Sequence, residues 1–280
     1  MSKPLINQKC LMEACKRLDV KYETFDDNHN FIRVNLDKPY LFLNFSTPFN
    51  NDSVVKLCVD KEFTYRLLKE KVHMPRTAAF FDPHYEKEDF QKYKEQKDEE
   101  AIADCIVKDF NLPVIVKMNQ GSFGTNVFLC RDRAEVLQSL KTIYNKKSSD
   151  YDYMALAQEY IDSKKEYRAI IFQGEVILLY EKNFSQAVFT GNLSPLHQEN
   201  ARAELIEDQK LIERISDFIR PMFEMADIEF AGLDILIDKN DDIFLLEINS
   251  KPGFSYFVRD NGEEPLVEMY EKLLVYLKNK

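Results

Sequence analysis

Two carboxylates and an amide with the spacing of a metal site occur near the C-terminal end of the sequence. Residues 232–249 read GLDILIDKNDDIFLLEIN, which is typical of two apolar strands joined by a polar turn. If residues 239–242 form a four-residue loop, Asp234 lies opposite Glu247, and Asn249 shares their face. An uncompensated carboxylate among such apolar neighbours costs several kcal/mol, so we expect a cation between them. An all-oxygen ligand set favours Mg²⁺ that also binds phosphate.

A second interpretation of this hairpin needs no metal. Asp234 and Glu247 could instead face solvent or pair with lysines at a sheet edge, and short motifs often match by chance. Other chemistry finds little support, because the sequence has no Cys-x-x-Cys pair and no Ser/His/Asp or Cys/His arrangement. Metal-ligand spacing is also absent among the four histidines, which are His29, His73, His84 and His197. The choice between the two interpretations therefore depends on the rest of the chain.

Two lysines occupy positions that lysine usually avoids. Lys61 follows Asp60, which caps a predicted helix, so its ammonium lies where the helix dipole disfavours a cation unless an anion is present. Lys117 follows three apolar residues of a predicted strand and precedes a loop that contains Gly121 and Gly124. Backbone N–H groups of such a loop can approach phosphate oxygens closely. We expect both lysines to act on phosphate and to hold nothing structural, although a solvated lysine is the commoner case for each alone.

The composition is that of an ordinary globular protein. The chain has 280 residues, of which 45% are hydrophobic and 31% are charged, enough for more than one compact unit. A net charge of −10 argues against a nucleic-acid binder. The sequence shows no membrane-spanning run and no signal peptide, and its 5 cysteines suit reduced thiols, so we expect a cytoplasmic protein. Self-association into a homo-oligomer is left open.

The apolar patterns predict alternating helices and short strands. Helices are predicted at 5–18, 61–71, 132–143, 211–223 with a bend near Pro221, and 265–277. Strands are predicted at 40–44, on both sides of the loop within 112–130, at 155–161, and in a hairpin over 167–180 that turns at Gln173 and Gly174. Residues 183–203 show little periodicity and are predicted to form a long loop.

In this order the motifs resemble the ATP-grasp superfamily of carboxylate–amine ligases, in particular glutathione synthetase, the ribosomal-protein glutamate ligases and cyanophycin synthetase. The resemblance extends from about Asp60 to Gly253. It rests on Asp-Lys at 60–61, Val-Lys at 116–117 before Gly-Ser-Phe-Gly, Gln-Glu-Tyr-Ile at 158–161, Glu166 with Arg168, Asn-Leu-Ser at 192–194, Gly-Leu-Asp at 232–234 and Glu-Ile-Asn at 247–249. It implies an α+β protein with the ATP-grasp fold. A short N-terminal α/β segment (1–73) would precede a central lid subdomain (74–161) and a C-terminal subdomain with the metal site (162–280).

The resemblance also implies a role for each motif. The ATP phosphates would be held by Lys61, Lys117 and the loop residues Gly121, Ser122 and Gly124. The adenine would lie against backbone groups of Glu159, Tyr160 and Ile161. The ribose would contact Glu166. Two Mg²⁺ ions, or Mn²⁺ in their place, would be ligated by Asp234, Glu247 and Asn249. The phosphoryl-transfer and tetrahedral states would be stabilised by Arg168, Lys182 and Asn192.

The implied reaction joins a carboxylate to an amine. The γ-phosphate of ATP would move to the carboxylate, and an amine would then displace phosphate, releasing ADP and phosphate. Amino acids or peptides are the expected substrates. Their identity is not predicted, because Pro195 and an acidic stretch stand where relatives tend to have a glycine-rich loop. Two other functions remain open, an ATP-grasp kinase that phosphorylates a hydroxyl and a nucleotide-binding module without catalysis.

Overall fold

The N-terminal segment forms a helix and a small sheet. The computed structural model of the protein describes residues 3–121, 124–188, 191 and 193–280. Helix α1 (Ile6–Arg17) precedes three antiparallel strands, β1 (Lys21–Thr24), β2 (Phe31–Asn35) and β3 (Pro39–Leu43). The buried face of α1 packs against the last helix of the chain, α8 (Glu264–Asn279), so the two ends of the sequence meet.

Two short helices lead into a four-stranded antiparallel sheet. These helices are α2 (Asp52–Val59) and α3 (Lys61–Leu68). The sheet has the order β4-β7-β5-β6, with strands β4 (Thr77–Phe81), β5 (Val114–Met118), β6 (Val127–Cys130) and β7 (Met154–Glu159). One face is covered by α4 (Glu99–Asp109) and α5 (Arg133–Ile143), which leaves the other face free to line a cleft.

A five-stranded antiparallel sheet forms the centre of the molecule. Its order is β10-β9-β8-β11-β12, with β8 (Ser163–Phe172), β9 (Glu175–Asn183), β10 (Arg202–Leu205), β11 (Phe230–Asp238) and β12 (Ile243–Asn249). Helix α6 (Gln209–Ile219) continues as a 3-10 turn over Arg220–Glu224, and α7 (Ser255–Asn261) follows β12. One side of this sheet packs on α1 and α8, and the other packs on α2 and α6.

The α+β class and most predicted elements are confirmed. The hairpin of β8 and β9 turns at Gln173 and Gly174, and the predicted capping box opens α5 with a hydrogen bond from the Glu135 N–H to Asp132 Oδ1 (2.9 Å). Two predictions are wrong in part. Helix α3 ends at Leu68 and not at residue 71, and the predicted loop 183–203 contains the start of β10, which pairs with the edge of β9.

The hairpin of β11 and β12 has the predicted pairing at its functional end. Asp234 lies opposite Glu247, as expected from a loop over residues 239–242. The register differs by one residue near the turn, where Ile237 pairs with Ile243, and a bulge between Asp234 and Ile235 restores it. Among the residues that the structure describes, no helix is long and apolar enough to cross a bilayer.

Candidate active site

A cleft of about 580 Å³ lies between the four-stranded and the five-stranded sheets. Its size is typical of a small-molecule site. Residues 160–162, which directly connect β7 to β8, line the cleft together with side chains from both sheets. The predicted site residues on β5, β8, β9, β11 and β12 all border this one cavity, so the sheets bring together positions that are far apart in the sequence.

Lys117 lies on the wall formed by the four-stranded sheet. Its side chain is 5% exposed and donates a hydrogen bond from Nζ to Gln158 Oε1 (2.9 Å). Burial lowers the pKa of Lys117 to about 8, with Glu247 opposing this change and Lys61 adding to it. A buried ammonium with a neutral partner retains charge that an anion can compensate.

Lys61 connects the two walls of the cleft. Its Nζ donates to the carbonyl oxygens of Asn119 (3.3 Å) and Gly121 (2.6 Å), and it lies 3.9 Å from Glu247 Oε2. The hypothesis that both lysines act on phosphate and hold nothing structural stays a prediction. Each lysine has a partner within the protein. The contact of Lys61 with Gly121 holds the start of the loop that contains Gly121 and Gly124, called the glycine loop.

The glycine loop has the close packing that its glycines suggest. A Cβ at Gly121 would lie 2.5 Å from Met118 Cγ and 3.2 Å from the Thr125 oxygen, so a larger residue would push the loop away from β5. Gly124 has a φ of 72°, a value that favours glycine. Both glycines line the cleft. Ser122, predicted to share this role, lies outside the described residues.

Asp234 is held by two cations of the protein on the other wall. Arg168 donates to both of its oxygens, with Nη2 2.8 Å from Oδ2, and Lys182 Nζ lies 2.8 Å from Oδ1. Burial opposes ionisation of Asp234, but Arg168 and Lys182 outweigh it and lower the pKa of this carboxyl. Asp234 therefore does not depend on a metal to offset its desolvation, because Arg168 and Lys182 provide positive charge, and its role as a metal ligand stays a prediction.

Glu166 belongs to the same charge network. Its Oε1 accepts a hydrogen bond from Lys182 Nζ (2.6 Å), and burial raises the pKa of its carboxyl although Lys182 opposes the change. Lys182 thus bridges Glu166 and Asp234. Arg168 and Lys182, both predicted to be catalytic, meet at one carboxylate. The third residue predicted for that role, Asn192, lies outside the described residues.

Glu247 and Asn249 provide oxygens that a divalent cation could bind. Asn249 Nδ2 donates to Glu247 Oε1 (3.1 Å), which orients the amide and leaves its oxygen available. No group of three or more His, Cys, Asp and Glu side chains suited to a metal occurs in the described parts of the chain. A metal here would bind Glu247 and Asn249, with Asp234 opposite them. These oxygen donors fit Mg²⁺, but Asp234 would have to share its oxygens with Arg168 and Lys182.

The predicted adenine-binding residues lie at the connection between the sheets. Glu159, Tyr160 and Ile161 all line the cleft, and the side chain of Tyr160 is 41% exposed. The Glu159 N–H donates to the Arg76 oxygen (2.8 Å), and the Arg76 N–H donates to Glu159 Oε2 (3.2 Å). This reciprocal pair fixes the end of β7, from which the backbone of residues 160 and 161 extends along the cleft.

Many residues of the cleft were not assigned a role from the sequence, and four of them have side chains suited to contact a ligand. They are Gln158, His197, Lys251 and Tyr256. Gln158 could have been found by the alternation of β7, because it shares the cleft face with Leu156 and pairs with Ile115 of β5. His197 and Tyr256 form an edge-to-face ring pair at 5.1 Å, and no periodic pattern in the sequence indicates this contact.

Comparison with curated proteins shows distant relatives. An uncharacterized protein of Mycoplasma genitalium is 29% identical over 147 residues, covering 51% of this chain and 45% of the relative. An uncharacterized protein of Mycoplasma pneumoniae is 26% identical over 154 residues, covering 54% and 48%. The chain spans about half the length of the curated relatives it matches.

Solved structures show the same fold at low sequence identity. A D-alanine–D-alanine ligase from Bacillus anthracis complexed with ATP has a TM-score of 0.51 and 19% identity, over 78% of this chain and 64% of that one. The ATP-grasp ligase PsnB complexed with a minimal precursor has a TM-score of 0.51 and 18% identity, over 81% and 64%. These likenesses confirm the ATP-grasp fold.

The family model for the RimK-like ATP-grasp domain matches residues 68–273, almost three quarters of the chain. The match begins at the end of α3 and covers both sheets of the cleft. The chain therefore belongs to the family of RimK-like ATP-grasp domains.

Proposed function

We propose that this protein is an ATP-dependent ligase that joins a carboxylate to an amine and releases ADP and phosphate. The observation that carries the proposal is that Lys61 and Lys117 line one cleft together with Glu247 and Asn249, with Lys61 Nζ 3.9 Å from Glu247 Oε2. An ATP-sized anion between these groups would receive positive charge from one wall and, with a divalent cation, from the other. Amino acids or peptides are the proposed substrates.

The nucleotide would lie along the four-stranded sheet. We assign the adenine to the backbone of Glu159, Tyr160 and Ile161, and the phosphates to Lys61, Lys117 and the glycine loop, including Ser122. In this arrangement residues 74–161 act as a lid that closes on residues 162–280, and residues 160–162 are the hinge. Residues 1–73 pack on residues 162–280 through α1. Glu166 is close enough to the cleft to contact the ribose, but it would do so while bound to Lys182.

Divalent cations would be bound by Glu247, Asn249 and Asp234. Two Mg²⁺ ions, or Mn²⁺ in their place, would supply positive charge to the β- and γ-phosphates. The protein's own contribution is to hold these oxygens in place. The Asn249 amide fixes one oxygen of Glu247, and the β11–β12 pairing keeps Asp234 opposite it.

Arg168 and Lys182 would act on the substrate carboxylate. Both cations lie in the cleft beside Asp234, where they can orient an incoming carboxylate and stabilise negative charge that develops on it. We assign Asn192 to the same role. The proposed chemistry uses no nucleophile from the protein, so the γ-phosphate would pass directly to the substrate to give an acyl phosphate. An amine would then attack the carbonyl carbon and displace phosphate.

The test is a screen of amino acids and short peptides for ADP release that requires both a carboxylate and an amine. With a working pair, ¹⁸O in the substrate carboxylate should appear in the released phosphate. Label in AMP would contradict the acyl phosphate. A phosphorylated hydroxyl product without an amide would instead support the kinase alternative.

Replacement of Glu247 tests the metal assignment. Glu247→Gln keeps the size of the side chain and removes its charge, so we expect the fold to persist and Mg²⁺-dependent turnover to be lost. Glu213→Gln, on the exposed side of α6, is the matched control. Near-normal turnover of Glu247→Gln at saturating Mg²⁺ would refute the assignment.

A further inference from the structure

A chain of hydrogen bonds extends from Lys117 to the backbone near β4. Lys117 Nζ donates to Gln158 Oε1 (2.9 Å), Gln158 Nε2 donates to Thr77 Oγ1 (2.9 Å), and Thr77 Oγ1 donates to the Pro75 oxygen (3.0 Å). Gln158 is 4% exposed, and it lies beside Thr77 in the pairing of β7 with β4. Because the side chain is almost fully buried, the orientation of its amide is set by these protein partners.

The three hydrogen bonds all donate in the same direction, from Lys117 towards Pro75, and this direction fixes the orientation of the Gln158 amide. A threonine hydroxyl has one hydrogen, and Thr77 donates it to Pro75. Thr77 Oγ1 can therefore only accept from Gln158, which requires the NH₂ group of the amide to face Thr77. The carbonyl oxygen of Gln158 must then face Lys117. An ammonium can only donate, so the orientation that Thr77 sets is also the one that Lys117 requires.

The acceptor that faces Lys117 is uncharged. A glutamate at position 158 would have nearly the same shape but would form a buried ion pair with Lys117. Such a pair offsets the positive charge of the lysine, as Asp234 and Glu166 partly offset that of Arg168 and Lys182 on the opposite wall. An amide holds the ammonium in place and leaves its charge for an anionic ligand.

We propose that Gln158 is a positioning residue that aims the Lys117 ammonium at the phosphates of the nucleotide without neutralising it, and that Thr77 sets the orientation of its amide. The inference rests on the proposed nucleotide site and adds to it a determinant of phosphate affinity. Gln158 contacts the lysine and acts on the nucleotide through it.

The experiment compares Gln158→Glu with the unmodified protein by calorimetric titration with a non-hydrolysable ATP analogue and with adenosine. We expect the affinity for the analogue to fall by about tenfold or more, because the ion pair removes the charge that attracts phosphate. Adenosine has no phosphate, so its binding should not change. A purely structural role of Gln158 would weaken both ligands equally. Gln138→Glu on the exposed face of α5 adds the same charge outside the cleft and should bind both ligands normally.

Two further variants test the mechanism. Thr77→Val removes the group that orients the amide, and we expect a smaller loss of analogue affinity with adenosine binding unchanged. Gln158→Glu in a Lys117→Met background should cause a smaller additional loss than it does in the unmodified protein, because part of its effect acts through the missing ammonium. Normal analogue binding by Gln158→Glu, or fully additive losses in the double variant, would overturn the inference while the nucleotide site stands. No binding of the analogue to the unmodified protein would overturn the proposed function and this inference with it.

Discussion

The two walls of the cleft hold their cations in opposite ways. On the four-stranded sheet, Lys117 has a neutral partner, the amide oxygen of Gln158. Lys61 donates to two backbone carbonyls beside that wall and approaches Glu247 only to 3.9 Å. On the five-stranded sheet, the cations Arg168 and Lys182 are in contact with carboxylates.

This difference determines which wall can attract an anion. Arg168 and Lys182 balance Asp234 and Glu166, so that group has no net charge. Lys117 has no carboxylate as a hydrogen-bond partner, and burial lowers its pKa to about 8 although Glu247 and Asp234 oppose the change. A phosphate would therefore bind more favourably to the wall that carries Lys117, called the lysine wall. The wall that carries Arg168 and Lys182, called the balanced wall, is better suited to stabilise its own structure and to orient a second substrate.

The largest expected effect on stability lies on the balanced wall. Asp234→Asn leaves Arg168 and Lys182 buried with one carboxylate between them, so we expect the free energy of unfolding to fall by about 3 kcal/mol or more. Denaturant unfolding measures this change. Asp104→Asn, which breaks an exposed ion pair with Arg133, should change stability little. If the two variants unfold alike, the balanced wall is not a structural charge network.

A substitution on the lysine wall should change nucleotide binding and leave stability nearly unchanged. Lys117→Met removes a desolvated charge and leaves one amide oxygen without a donor, two effects that offset each other, so the melting temperature without ligand should change little. Stabilisation by ATP should be mostly lost, with affinity reduced about tenfold or more. Lys141→Met on the exposed side of α5 is the control. Unfolding of Lys117→Met without ligand would show that this wall, too, is held by its cation.

A carboxylate outside the cleft provides a smaller reference effect. Burial opposes ionisation of Asp260, but hydrogen bonds from Arg259, the Ala203 N–H and Arg202 lower its pKa to about 2. The unfolded value is about 3.9, so the stabilisation is complete above about pH 4 and is lost as the pH falls through 2. Asp260→Asn should thus lower stability by about 2 kcal/mol at about pH 7 and have little effect at about pH 2. An equal loss at both pH values would show that charge is not the cause.

The sequence predicted what local patterns determine. Alternation and turn residues specified the β11–β12 hairpin and the pairing of Asp234 with Glu247, and capping residues specified the start of α3 at Lys61. These features depend on neighbours within a few residues or across one turn. The strand β10 was missed because it is short and lies at a sheet edge, where Asp260 and Asn261 bind its backbone from 57 and 56 residues away.

The partners of the charged residues could not be predicted. A metal was expected at Asp234 from its apolar neighbours, yet Arg168 on β8 and Lys182 on β9 reach the same point only after three strands have paired. The contact of Lys117 with Gln158 likewise joins residues 41 positions apart. Side-chain patterns indicate which residues carry charge, but the strand order decides which charges meet.

The comparison of the two walls is tested most directly by a crystal structure with a non-hydrolysable ATP analogue and Mg²⁺. We predict phosphate oxygens within hydrogen-bond distance of Lys117 and Lys61, the adenine beside residues 159–161, and Lys117 still in contact with Gln158. Arg168 should remain bound to Asp234. Phosphates bound to Arg168 and Lys182, with Lys117 making no contact with the nucleotide, would contradict the account.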